Sequence, residues 1–164
     1  MTRHTWIAVS LLLLAPAAAR AEERTARNGL YVELGGNAGI WSLNYERFVG
    51  DDVALRVGGG YTSVSDTAGT SVSLLTFPLT ASWLGLRSGS HALELGGGVV
   101  FASASVSSSS AGLKAFGNGV IGTAILGYRL APLTGGFNLR VAFTPLFGSG
   151  GFFAWGGVAL GAVF

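Results

Sequence analysis

Two short runs, Trp41-Ser42-Leu43-Asn44-Tyr45-Glu46 and Val53-Ala54-Leu55-Arg56-Val57-Gly58, decide how this chain folds. In each, every second residue is large and apolar, and the positions between are small, polar or charged. Side chains of an extended strand point alternately to opposite faces, so a period of two gives one apolar face and one that carries Glu46 or Arg56. Gly50-Asp51-Asp52 between them has the chemistry of a turn. The pair reads as an antiparallel hairpin.

The same rhythm recurs outward in both directions. Leu30, Val32 and Leu34 alternate with Tyr31, Glu33 and Gly35. Leu75, Phe77, Leu79, Ala81 and Trp83 alternate with Thr76, Pro78, Thr80 and Ser82, and Leu93, Leu95, Val99 and Phe101 oppose Glu94, Gly96 and Gly98. Farther on, Phe116, Val120, Ala124, Leu126 and Tyr128 oppose Thr123 and Arg129, while Phe137, Leu139, Val141, Phe143 and Phe147 oppose Asn138, Arg140 and Thr144. The last run, 152–164, places Val158, Leu160, Ala162 and Phe164 together. Eight strands are predicted, with the longer polar stretches 63–71 and 104–113 read as loops.

Charge decides which face meets water. Of 164 residues, 49% are hydrophobic and only 11% charged, against about 25% charged in soluble domains. A soluble barrel needs a charged exterior, and this chain cannot supply one while six of its ionisable residues sit at strand positions. In a bilayer every backbone group must be paired inside the protein, which a sheet achieves only by closing on itself. The expected fold is all-β: an eight-stranded antiparallel up-and-down transmembrane β-barrel. Aromatic positions support it. With the amino terminus on the periplasmic side, Tyr45, Trp83, Tyr128, Phe137 and Phe164 fall near one rim, and Tyr61, Phe101, Phe116, Phe147 and Phe152 near the other. Membrane barrels carry such girdles at both interfaces.

The amino-terminal segment explains how the chain leaves the cytoplasm. Arg3 and His4 precede the apolar run 6–15, and Ala19-Arg20-Ala21 provides small residues for a signal peptidase. The expected organisation is a signal peptide at 1–21, a short periplasmic leader at 22–28 and the barrel at 29–164. Taking Arg3 and Arg20 from ten Lys+Arg leaves eight, against eight Asp+Glu. A neutral mature chain gives no reason to expect a nucleic-acid partner.

Several phrases carry a resemblance: Leu34-Gly35-Gly36-Asn37, Ser42-Leu43-Asn44-Tyr45-Glu46-Arg47, Leu93-Glu94-Leu95-Gly96, Gly127-Tyr128-Arg129, Phe143-Thr144-Pro145 and Trp155-Gly156-Gly157. On these, residues 29–164 resemble the small outer-membrane β-barrel family of Gram-negative bacteria, with the architecture of the OmpA transmembrane domain and OmpX. The resemblance implies an outer-membrane location. The terminal Phe164 resembles the signal read by the barrel assembly machinery, although Ala162 stands where such barrels usually place an aromatic. The expected partners are outer-membrane lipid and that machinery, with the barrel a monomer.

Alternation places Glu33, Glu46, Arg56, Glu94, Arg129 and Arg140 inside, three of each sign, at nearly one height. They are expected to form a charge-paired layer in the periplasmic half of the lumen, with Glu46 beside Arg56 and Glu94 beside Arg129. Above it the inward residues become small or apolar, and Ile121, Ile125, Phe153 and Trp155 outline a shallow pocket open to the outside, unless a bulge near Gly150-Gly151 turns the last two outward. Catalytic chemistry is sparse. His91, the one histidine of the mature chain, reads as a solvated turn residue beside Ser88 and Ser90; a lipid-active enzyme centred on it is the least favoured reading. No catalytic residue, cofactor or metal site is expected. The reading is a non-enzymatic envelope protein with a salt-bridge-plugged lumen and a structural or surface-contact role. The alternative is a narrow channel or a carrier of small apolar molecules.

Overall fold

The alternating runs become ten hydrogen-bonded segments in the computed structural model, which describes residues 23–67, 69–108 and 113–164. The expected leader, 1–21, lies outside them. The segments are β1 (Asn28–Gly35), β2 (Trp41–Phe48), β3 (Val53–Ser65), β4 (Thr70–Ser88), β5 (His91–Ser108), β6 (Leu113–Leu130), β7 (Gly136–Phe143), β8 (Leu146–Gly148), β9 (Gly151–Phe153) and β10 (Gly156–Val163). Sequence neighbours from β1 to β7 pair antiparallel, β7 pairs with β10, and β10 pairs with β1. The circuit therefore closes.

The barrel has eight staves because two of them are interrupted. The stave 137–147 breaks at Thr144-Pro145 between β7 and β8, where Pro145 has no amide hydrogen to give the ladder. The stave 152–164 breaks opposite it, at Ala154-Trp155, and the Thr144 amide donates to the Trp155 carbonyl at 2.8 Å across the gap. The stretches read as loops at 63–71 and 104–113 are instead largely strand. β3 runs to Ser65, β4 starts at Thr70, β5 runs to Ser108 and β6 starts at Leu113. Serine and alanine do not mark a turn when a full partner strand lies alongside.

Closure is staggered. From Leu30 the ladder passes through Tyr45, Val57, Leu79 and Val99 to Gly122 of β6. From Val32, two residues along the same strand, the opposite route through Leu160 and Leu139 reaches Leu130. An unstaggered cylinder would bring the two paths within two residues of each other. Such stagger tilts strands by roughly 35–45° and leaves an eight-stranded interior about wide enough for side chains.

The exterior is apolar. Leu30, Val32, Leu43, Leu55, Val57, Leu79, Val141 and Leu160 are all exposed, and so are all ten aromatics placed at the two rims. The interior fills in three levels. At the end holding Phe164 and the start of β1, Ala26, Phe48, Ala54, Leu84, Ala92, Ala131 and Val163 make an apolar cluster. Above lie the buried charges, and above those the β1–β2 turn dips inward.

Candidate functional site

Strand parity places Glu33 on β1, Glu46 on β2, Arg56 on β3, Glu94 on β5, Arg129 on β6 and Arg140 on β7, and all six are 0–4% exposed. They touch in one unbranched, sign-alternating chain. Arg56 Nη1 lies 3.3 Å from Glu33 Oε2, and Glu33 Oε1 accepts from Arg140 Nη1. Arg140 Nε donates to Glu94 Oε2 at 2.6 Å, and Glu94 Oε1 lies 3.6 Å from Arg129 Nη1. Arg129 then grips both Glu46 oxygens, Nη1 to Oε1 at 3.0 Å and Nη2 to Oε2. The chain runs β3, β1, β7, β5, β6, β2, so it crosses the lumen as well as following its wall.

Glu94 and Arg129 are in contact, as the spacing suggests. Glu46 and Arg56 are Cα partners on adjacent strands, yet Arg56 turns to Glu33 and Glu46 to Arg129. The tilt explains the exchange, because residues level along the axis are not those level along the hydrogen-bond ladder. Neutral groups add to the shell, although Arg140 Nη2 and Asn138 Nδ2 are buried with no hydrogen-bond partner. Arg56 Nε donates to Thr80 Oγ1 at 2.9 Å, Arg129 Nε to Asn138 Oδ1 at 3.0 Å, and Ser82 Oγ to Glu94 Oε1 at 2.7 Å. A buried charge without partners costs several kcal/mol, so neutralisation within the chain is what makes the layer tolerable.

Asn37, in the turn between β1 and β2, is buried above the charges. Its Oδ1 accepts from Arg56 Nη2, and its Nδ2 donates to Thr123 Oγ1 at 2.5 Å. Thr76 Oγ1 donates to the neighbouring Ala38 carbonyl at 2.7 Å. The turn can fold inward because Gly35, Gly36 and Gly39 hold positive φ, and a Cβ on Gly36 would collide with the Glu33 carboxylate. The flanking glycines were the available signal. Asn37→Ala strips two partners from buried polar groups and is expected to cost about 1–3 kcal/mol in urea unfolding; an unchanged midpoint would show that the bridge contributes nothing.

Residues 23–28, from the segment read as a leader, pack under the opposite end. Arg24 is buried with its guanidinium 3.7 Å from the Phe48 ring centroid, and its Nε donates to the Asp51 carbonyl at 3.1 Å. Burial, reinforced by repulsion from Arg87 and Arg129, pulls its pKa down to about 10. The amides of Thr25 and Ala26 both donate to the Leu133 carbonyl. His91 is exposed, but its Nδ1 lies 2.5 Å from the Tyr128 hydroxyl on the outer wall. Ser88 shares a concavity of about 480 Å³ with it.

Three of the four residues of the expected outer pocket are linked through Phe153. Ile121 and Phe153 line a concavity of about 300 Å³ with Leu146 and Phe152. Ile125 is buried on the inner face of β6, and Trp155 is half-buried with its ring centroid 5.5 Å from that of Phe153. Register places Phe153 opposite Leu146 and Leu146 opposite Thr123, whose side chain faces inward, so Phe153 is on the inner face. It is nevertheless 57% exposed, because β8 and β9 stand at the open end.

An apolar outside, an ionic inside and closure at eight antiparallel staves define the fold of the small outer-membrane barrels. The chain is similar to Ail, the attachment invasion locus protein of Yersinia pestis, with a TM-score of 0.58 and 13% identity over 87% of this chain and 98% of that one. It is also similar to the N-terminal β-barrel domain of Pseudomonas aeruginosa OprF, with a TM-score of 0.55 and 14% identity over 84% of this chain and 96% of that one. Both neighbours are eight-stranded outer-membrane barrels. No protein-family model and no curated protein matches the sequence.

Proposed function

We propose that the chain is a non-enzymatic, monomeric outer-membrane protein, exported by its leader and inserted with both termini on the periplasmic side. In this reading its lumen is plugged and its role is envelope structure or surface contact. The observation that carries the proposal is the alternating chain of six buried charges between the inward-folded Asn37 turn and the Phe48–Leu84 cluster. An ion entering there would have to displace paired groups that have no solvent to receive them. The apolar exterior supports burial in lipid, and in this reading Phe164 is the residue that the barrel assembly machinery would read.

A carrier of apolar molecules draws support from the concavity beside Phe153, but the ionic layer across the lumen offers an apolar solute no path. The purified barrel in a planar bilayer is expected to show no stable unitary conductance, and Glu94→Ala, which cuts the ionic chain between Arg129 and Arg140 and leaves each with one carboxylate partner, is expected to produce small steps. Steady unitary currents from the unmodified protein would reject the plug and favour the channel.

A further inference from the structure

At the end away from Phe164, β3 to β6 rise beyond the rest of the wall, and their outward residues form rows across four strands. One row holds Phe77, Phe101 and Val120, all exposed and apolar. The next holds Tyr61, Leu75, Ser103 and Asn118; then come Ser63, Ser73, Ser105 and Phe116; then Ser65, Ser71, Ser107 and Lys114. Within two rows the outer face passes from hydrocarbon to hydroxyl. The inner face changes the opposite way, from Arg56 and Thr80 below to Val64, Val72 and Val106 above. A strand in one medium has no reason to exchange its faces. A strand leaving lipid does.

From this we infer that the outer face of the overhang binds the saccharide of outer-leaflet glycolipid, an inference that rests on the outer-membrane reading above. A pyranose offers an apolar C–H face and an edge of hydroxyls that both donate and accept. Here Tyr61, Ser73, Leu75, Ser103, Ser105 and Phe116 line an open concavity of about 240 Å³, with one aromatic on each side. Phe116 is 79% exposed, and the Tyr61 hydroxyl lies 3.4 Å from Ser73 Oγ. Ser63 and Ser73 are 3.0 Å apart through their hydroxyls, and Ser65 and Ser71 are 2.8 Å apart. These groups are donors and acceptors together, as a sugar edge requires. Lys114 supplies the one cation in these rows, suited to an acidic sugar or phosphate substituent. The face continues without a break from the lipid-facing rows, so the molecule beside it is the one whose acyl chains lie against Phe77 and Phe101. That continuity selects an anchored glycolipid over a free glycan.

The test uses the mature chain in phosphatidylcholine nanodiscs, titrated with glycolipid that bears its core saccharide or with the same lipid after the saccharide is removed, and bound lipid is counted by native mass spectrometry. The intact glycolipid is expected to bind about tenfold more tightly than the trimmed lipid. Phe116→Ser and Ser105→Val are each expected to cost about fivefold for the intact lipid alone, the size of one net hydrogen bond or contact. Heat-modifiable migration checks that both variants fold. Equal affinity for the two lipids, or variants that bind like the parent, would overturn the inference while leaving insertion intact. Full competition by free saccharide would overturn the anchored ligand. A chain that stays folded in plain buffer and ignores the discs would overturn both this inference and the outer-membrane reading.

Discussion

Arg140→Met is expected to lower the unfolding free energy of the vesicle-inserted barrel by about 3–5 kcal/mol, the range seen when one partner of a buried ion pair is removed. Arg140 is the link between Glu33 and Glu94. Without it, three carboxylates share the two remaining cations, Arg56 and Arg129, in a space where all are buried. The penalty is the uncompensated charge rather than the intrinsic worth of the pair. Glu33→Gln added to Arg140→Met should therefore recover part of the loss, and the double-mutant cycle should show coupling of about 0.5–3 kcal/mol, as for groups in one network. Urea titration followed by tryptophan fluorescence reads all three variants. A single-mutant loss below about 1 kcal/mol, nearer an exposed pair than a buried one, would show that solvent reaches the layer.

Gly161→Val acts by a different route and is expected to cost about 1–3 kcal/mol, as overpacking does, or to prevent closure. Gly161 lies opposite Tyr31 on the β1–β10 seam, where the first and last strands meet. A Cβ there would strike the Leu30 carbonyl oxygen and the Tyr31 backbone, neither of which can swing aside. Tyr31 is itself buried beneath Arg129, with the guanidinium 5.4 Å from its ring centroid. Gly117→Val is the control, since an added Cβ on the overhang meets nothing within 4 Å. The seam variant should lose its heat-modifiable band during refolding while the overhang variant keeps it. Equal refolding yields would show that β1 and β10 can separate to admit the side chain.

Much of the barrel was legible because a strand's period is two. Glu33, Arg56 and Arg140 could be assigned to the inner face from neighbours one residue away, with no knowledge of the strand across the lumen. Low charge then fixed the apolar face as the outer one. Strand ends were less legible. Serine-rich 63–65 and 104–108 have no apolar alternation toward lipid, so nothing local separates them from loops; only pairing to a neighbour of equal length does. The interruption at Thr144-Pro145 had a signal in the proline, while its counterpart at Ala154-Trp155 had none.

Composition and alternation by themselves determined that this chain makes a closed sheet with apolar side chains out and a balanced set of charges in, because facing is a local property of extended backbone. Which charge meets which was decided only by tertiary structure. Stagger brings Glu46 to Arg129 across the lumen and leaves its ladder neighbour Arg56 to Glu33. The same holds for Asn37 and Arg24, which close the interior from opposite ends. Each lies outside the alternating strands, so its direction depends on the space that the finished cylinder leaves to be filled.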